Sequence, residues 1–370
     1  MKILIIEPYF TGSHADWAKG YQKFSRHDVH ILSLSGQFWK WRMHGGAVTL
    51  AQKFLGSDFS PDFILATDML DLTTFLALTR KKTHAIPTGI YFHENQISYP
   101  WSSADRDVLK KRDHHYGFIN YVSALAADAV FFNSHFHRTS FFADLPKILR
   151  HFPDHRGMDN IKKLEQKSKV LYLGLDLQRF DEFRVQEERD KPLILWNHRW
   201  EYDKNPGDFF LVLNELKNDG IDFEIAVLGE NFSKVPIIFE PMQSIFKEKI
   251  VQYGFAKTFE EYARWLWRAH IIPITSRQDF FGASLVEAVY CNCYPILPKR
   301  LAFPEIISID IYPKNFYNDM QDLYDKLEIA IENFRSLKTG KLRELVSKFD
   351  WRKMASEYDN QFELIAQRHN

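Results

Sequence analysis

Short apolar runs recur along the chain, separated by stretches with helical spacing. ILIIEP (3–8), VHILSL (29–34), FILAT (63–67), IYFHE (90–94), AVFFN (129–133) and VLYLG (170–174) lack strict in–out alternation. Such runs suit parallel strands covered on both faces. Between them, segments such as 117–127 predict buried helices. The second half repeats the scheme with LILWN (193–197), FEIAVLG (223–229), VQYG (251–254), IIPIT (271–275) and YPILP (294–298). Pro206 and Gly220 bracket a predicted helix, Pro near its first turn and Gly past its end. Thr258 with Glu261 three residues later predicts a capping box for the next one.

Alternating strands and helices over this length predict an α/β chain of two Rossmann-like, doubly wound domains. The segment 172–192 ends a strand and turns charge-rich, which sets the join near residue 183. The expected units are an N-terminal domain over 1–182, a C-terminal domain over 183–349, and an amphipathic helix over 350–370 packing back on the first. Two facing domains of this kind leave a cleft at the carboxyl ends of their strands, where ligands bind.

Composition sharpens the picture in a few places. A length of 370 residues favours two domains, and 45% hydrophobic with 26% charged residues excludes disorder. Cys291 and Cys293 lie too close in sequence for a structural disulfide, which points to a reduced, cytoplasmic chain. The opening MKILIIEPYF does not read as a signal peptide, since Glu7 and Pro8 cut its apolar run short. No apolar run is long enough for a membrane span. Net charge is zero, yet residues 1–180 hold 23 Lys and Arg against 17 Asp and Glu, a balance of +6. A basic first half suits an anionic partner such as RNA.

Candidate chemistry clusters after the strands. After 271–275, the segment RQDFFGASLVEAVYCNCYPILP holds Asp279, Phe280, Phe281 and Gly282, then Ala283 and Glu287 on a buried helix. A helix start near Gly282 offers free N–H groups to phosphate, and acids accept hydrogen bonds from sugar hydroxyls. Glu287 sits among apolar neighbours, so an acid there points to a bound hydroxyl. After 193–197, NHRWEYDKNP carries Arg199 and Lys204, two cations suited to a diphosphate leaving group. Gly12 and Ser13 follow the first strand, and His93, Asn95 and Gln96 follow the fourth. The Gly12 turn is not a GxGxxG, which argues against a nicotinamide cofactor. No HExxH, P-loop or GxSxG motif is present, so no cofactor and no metal are expected.

The segment from Asp279 to Glu287 resembles the E-x7-E signature of retaining glycosyltransferases of the GT-B fold, with Asp in the first position. NHRWEYDKNP, FEIAVLGENF, DFFGASLVEAVYCNCYPILPK and FPEI resemble the C-terminal domain of the tRNA-queuosine α-mannosyltransferase family. ILIIEPYFTGSH, FWKWRMH, IYFHENQISYP, FFNSHFHRTSF and FPDHR resemble its N-terminal domain. The resemblance implies a GT-B fold and transfer of mannose from GDP-mannose to queuosine in a tRNA anticodon. It implies that Arg199 and Lys204 meet the diphosphate, Glu287 the ribose and Asp279 the mannose. Phe281, Gly282 and Ala283 would complete the donor cradle. His93, Gly12 and Ser13 would line the sugar and acceptor side. Trp39, Trp41, Arg42, Asn95, His135, Arg138, His155 and Arg156 would form the RNA face, with aromatics on bases and arginines on phosphates.

The expected partners are therefore a nucleotide sugar and tRNA. The expected mechanism is a retaining transfer in which the departing phosphate takes the acceptor proton, with domain closure excluding water. Two other readings fit the residues: a retaining enzyme with a lipid or glycan acceptor, and a tRNA- or sugar-nucleotide-binding protein without turnover. Intact phosphate-binding cations at Arg199 and Lys204 argue against the second.

Overall fold

The structure is a computed structural model that describes residues 1–102, 105, 107, 114–229 and 236–369. Glu230 to Phe232, part of one family-like segment, lie outside the described residues. Two compact units result: Met1–Leu175 with Trp351–Asn370, and Asp176–Asp350.

The first unit is built on six parallel strands: β1 (Lys2–Phe10), β2 (Asp28–Ser35), β3 (Phe63–Thr67), β4 (Thr88–Phe92), β5 (Ala129–Phe132) and β6 (Ser168–Val170). They order as β2-β1-β3-β4-β5-β6, with Ile5 opposite Ile31 and Leu65 opposite Gly89. Strands β3, β4 and β5 are buried along their whole length, which explains their unbroken apolar runs. The helices are α1 (Gly12–Phe24), α2 (Trp39–Leu55), α3 (Leu72–Thr83), α4 (His114–Ala126), α5 (His135–Leu149) and α6 (Asp159–Lys167).

The second unit repeats the arrangement with β7 (Leu193–Trp196), β8 (Glu224–Leu228), β9 (Ile250–Gly254), β10 (Ile271–Pro273), β11 (Tyr294–Pro298) and β12 (Phe316–Tyr317). Their order is β12-β11-β10-β7-β8-β9, again parallel. Strand β12 pairs with β11 through two residues, too short a run to be read from sequence. The helices here are α7 (Pro206–Asn218), α8 (Phe239–Ile245), α9 (Phe259–Arg268), α10 (Ala283–Tyr290), α11 (Phe303–Ile306), α12 (Met320–Glu332) and α13 (Gly340–Val346). Thr258 caps α9 by accepting from the Glu261 N–H, while Glu261 reaches back to the N–H of Lys257 rather than that of Thr258.

The change of unit falls between Leu175 and Asp176, earlier than the charge pattern suggests. The reason is a 3-10 helix over Leu177–Phe183 whose apolar side enters the second unit. Phe180 is buried there, and its carbonyl accepts from Trp267 Nε1 at 2.7 Å. At the far end, α14 (Trp351–His369) joins the first unit. Its Trp351, Tyr358 and Phe362 are all buried, each worth about 1.5–3 kcal/mol by area removed from water. Trp17 Nε1 donates to the Tyr358 hydroxyl at 3.1 Å, and the Tyr21 hydroxyl to Asp359 at 2.7 Å. Polar tips of buried aromatics thus find partners.

Candidate active site

In the second unit, the carboxyl ends of β7 and β10 feed two loops that meet. The loop after β7 is pinned by its backbone. The His198 carbonyl accepts from Trp196 Nε1 at 3.1 Å, and a Cβ at residue 229 would lie 2.0 Å from that carbonyl oxygen. Only glycine, with φ +127°, fits at Gly229. The loop after β10 is held by Arg300, which donates to the carbonyls of Ser276 and Thr275 at 3.1 and 3.0 Å.

Lys204 joins the two loops. Its ammonium donates to the Gln278 carbonyl at 2.8 Å and lies 3.2 Å from both Asp279 and Asp203. Burial alone would lower the Lys204 pKa, but the carboxylates of Asp279 and Asp203 outweigh it and hold the pKa above its ordinary value. Arg199 lies in the same field, close enough to oppose that rise, and is half exposed beside Glu201 at 3.5 Å. A buried lysine and a half-exposed arginine thus share one mouth with an acid from the second loop.

Gly282 opens α10 in the left-handed region, with φ +95°, and a side chain there would also press on Phe303. The turn lets Phe280 and Phe281 bury while the helix start stays open. Glu287 lies one turn inside and accepts from the Tyr262 hydroxyl at 2.6 Å. Asn197 donates to Tyr262 and to the Ser284 carbonyl at 3.3 and 3.0 Å. Ser284 Oγ meets His198 Nδ1 at 2.9 Å. Burial pushes the His198 pKa down to about 4, against the pull of Asp279. Among the described residues, His198 Nε2, Asn197 Oδ1, Ser276 Oγ and Gln278 Nε2 are buried without a hydrogen-bond partner. Orphaned polar atoms grouped like this mark a place where a polar ligand completes the set.

The first unit has its own polar centre at the ends of β1 and β4. His93 is fixed by its backbone: its N–H donates to Asp68 at 2.8 Å and its carbonyl accepts from Asn133 at 2.9 Å. Its ring lies edge-on to Trp17 and Tyr91 and 4.3 Å from the His14 ring. Its Nε2 is buried without a partner among the described residues. Burial, and then His14, hold His93 well below the ordinary histidine range. His14 is bonded to buried Glu7 at 3.1 Å. Burial opposes its charge, but Glu7 overcomes this and raises the His14 pKa to about 9. Glu7, His14 and His93 each bring one ligand atom within 4.8 Å of the others, a compact set that spacing alone did not reveal. Gly12 and Ser13 stand exposed at the start of α1 beside it.

The RNA-side candidates divide. Trp41, His135, His155 and Arg156 are exposed, and Arg42 is half-buried. Trp39 is half-buried against Met43, Met69 and Tyr116, so it belongs to the core more than to a surface. Asn95 is fully buried, and its side-chain oxygen accepts from the N–H groups of Ile97 and Ser98. It shapes the loop and has no exposed surface in this structure. Arg138 donates to the Glu165 carbonyl and covers Phe142.

Residues 2–175 match the family described as tRNA-queuosine alpha-mannosyltransferase, N-terminal. The tRNA-queuosine alpha-mannosyltransferase of Drosophila melanogaster is 36% identical over 335 residues, covering 88% of this chain and 85% of that protein. The chain belongs to the tRNA-queuosine α-mannosyltransferase family. It is a glycosyltransferase of the GT-B fold. Sucrose-phosphate synthase from Thermosynechococcus elongatus shares the fold with a TM-score of 0.72 at 12% identity, over 100% of both chains. Anabaena HepE, solved with UDP and glucose, follows with a TM-score of 0.67 at 14% identity, over 98% of this chain and 99% of that one. A glycosyltransferase from Rickettsia africae gives a TM-score of 0.67 at 16% identity, over 98% of each.

Sequence reasoning chose Arg199, Lys204, Asp279 and Glu287 but passed over Asn197, His198, Tyr262 and Ser284. Asn197 and His198 stood in the same strand-to-loop motif, directly before Arg199. Tyr262 sat on the polar-to-apolar seam of α9 and gave no separate signal. On the other side, Glu7, His14 and Asp68 were hidden, because β1, the start of α1 and the end of β3 meet His93 only in the folded unit.

Proposed function

We propose that this enzyme transfers mannose, with retention, from GDP-mannose to queuosine in the anticodon of tRNA. The observation that carries the donor side is the ion cluster of Lys204, Asp203 and Asp279 at the mouth of α10, with Glu287 one turn inside. Arg199 and Lys204 neutralise the departing diphosphate, together with the N–H groups at the start of α10. Glu287 accepts from the ribose hydroxyls, and Tyr262 holds its carboxylate in place. Asp279 accepts from the mannose hydroxyls. Neutral His93, with Gly12 and Ser13, lines the sugar and acceptor side.

The leaving phosphate oxygen takes the acceptor proton on the face it vacates, so no side chain serves as a dedicated base. Catalysis then rests on positioning and on fixed charge. Two protein cations make a metal unnecessary for the diphosphate, and we take the reaction to be metal-independent. Among the described residues no helix is long and apolar enough to cross a membrane. The test is incubation with GDP-mannose and tRNA with and without queuosine, followed by nucleoside mass spectrometry. A gain of one hexose on queuosine alone is expected. Hexose on a lipid extract, and none on any tRNA, would overturn the acceptor.

A further inference from the structure

The WKWR and PDHR segments lie far apart in sequence, yet His44, just after the first, and Phe152, just before the second, line one surface cavity. In WKWR the first two residues turn inward. The Lys40 ammonium lies over the rings of Trp39, Trp101 and Tyr116 at 5.2–5.9 Å and pairs with Asp105 and Asp107. The next two turn outward. Arg42 is tied to the end of β2 through Ser35, and Trp41 stays 63% exposed despite its size.

The Trp41 ring lies flat on its own helix. A Cβ at Gly45 would come within 2.6 Å of it, so the missing side chain makes room for one face of the indole. The other face looks outward. His44 follows one turn along, on the same side of α2. It stacks on His115 of α4, with ring centroids 4.6 Å apart and planes 15° apart. Burial, and then the His115 ring, lower the His44 pKa, which favours uncharged stacking. This pair lines a cavity of about 550 Å³, together with Asp107, His114, Tyr116, Phe118 and Phe152. That volume is in the range of small-ligand sites. Phe152 carries the second motif: its carbonyl accepts from exposed Arg156 at 2.7 Å. Flat rings thus line the cavity, with Trp41 and Arg42 on the helical turn before His44 and Arg156 on the segment after Phe152.

We propose that this pocket takes one unstacked nucleobase of single-stranded RNA, with Trp41 and the His44–His115 pair as stacking surfaces and Arg42 and Arg156 on the flanking phosphates. The chemistry favours RNA over a lipid surface, because the rings are planar and pre-stacked and the cations are held by backbone carbonyls beside them. The proposal rests on the tRNA acceptor above but is read separately from sugar transfer.

The experiment is fluorescence anisotropy of the full chain, without donor, on a labelled seven-nucleotide RNA strand, the same strand as a duplex, and anionic vesicles. Binding should favour the single strand. Trp41→Ala and His44→Ala should each weaken it about tenfold, the scale of one base–ring stack. Gly45→Ala, which tilts the Trp41 ring, should weaken it too. An abasic scan should find one position whose loss matters in the wild type and no longer matters in His44→Ala. Arg156→Ala should lower affinity for every sequence alike and reduce the salt slope by about one. Unchanged affinity in all ring variants, or a preference for vesicles or duplex, would overturn the pocket. If these results hold while queuosine gains no hexose, the transfer reading fails and the pocket stands.

Discussion

Replacing Lys204 by Met removes a group that ties the β7 and β10 loops to each other through charge. Its ammonium lies 3.2 Å from Asp203, whose side chain is fully buried, and 3.2 Å from Asp279. Breaking a buried pair by removing one partner costs about 3–5 kcal/mol, because the remaining charge stays in a poor solvent. For a unit of this size, that corresponds to a loss of roughly 6–20 °C in melting temperature. Asp203→Asn placed on top of Lys204→Met should recover part of the loss, since the stranded charge is gone. The two substitutions are then strongly non-additive. Transfer should not recover. Loss of one group that stabilises charge in the transition state lowers kcat about 10²–10³-fold, in the single and the double variant alike. Single-turnover transfer of labelled mannose to tRNA reads the rate, and scanning calorimetry reads the stability. A Lys204→Met protein that melts like the wild type would refute the buried cluster. One that transfers at the wild-type rate would remove Lys204 from the leaving-group site.

Other expectations can be checked with the same preparations. Glu287→Ala should raise the donor KM about tenfold or more, the worth of a hydrogen bond to a charged group, and change kcat less; an unchanged KM would dismiss the ribose role. Gly282→Ala should cost about 1–3 kcal/mol of stability, because the residue needs φ +95° and faces Phe303; a neutral effect in denaturant titration would contradict the strained turn. The His14–Glu7 pair should stabilise the fold fully below about pH 6.5 and lose that contribution as pH rises through about 9, since the folded pKa is the higher one. His198 works the other way: with its folded pKa down at about 4, stability falls as pH drops from about 6.5 toward 4. Melting curves of His14→Gln and His198→Gln across pH should each lack their own limb.

The fold was legible because its strands are parallel and buried on both faces. FILAT and LILWN read as strands without any partner in view, since each is apolar up to its last residue. Strand β12 was not legible: two residues, Phe316 and Tyr317, pair only because β11 is already in place. The boundary was read late for a related reason. Charge-rich sequence from Glu182 to Asp190 masks the preceding Leu177 and Phe180, which already belong to the second core. In the site, Arg199, Lys204 and Asp279 were visible as charged residues in loops after strands, while Asn197 and His198 in the same stretch were passed over. Residues that reach the site across elements, such as Tyr262 from α9 or Glu7 from β1, carry no local mark of it. Asn95 stands in a polar motif, and its burial and the turn its side chain closes carry no mark in the sequence.

The most direct test is a reaction of the full chain with GDP-mannose and queuosine-containing tRNA, digested to nucleosides and divided between α- and β-mannosidase. The account expects one added hexose on queuosine that α-mannosidase alone removes. A queuosine that stays unmodified, or a hexose that only β-mannosidase releases, would contradict it.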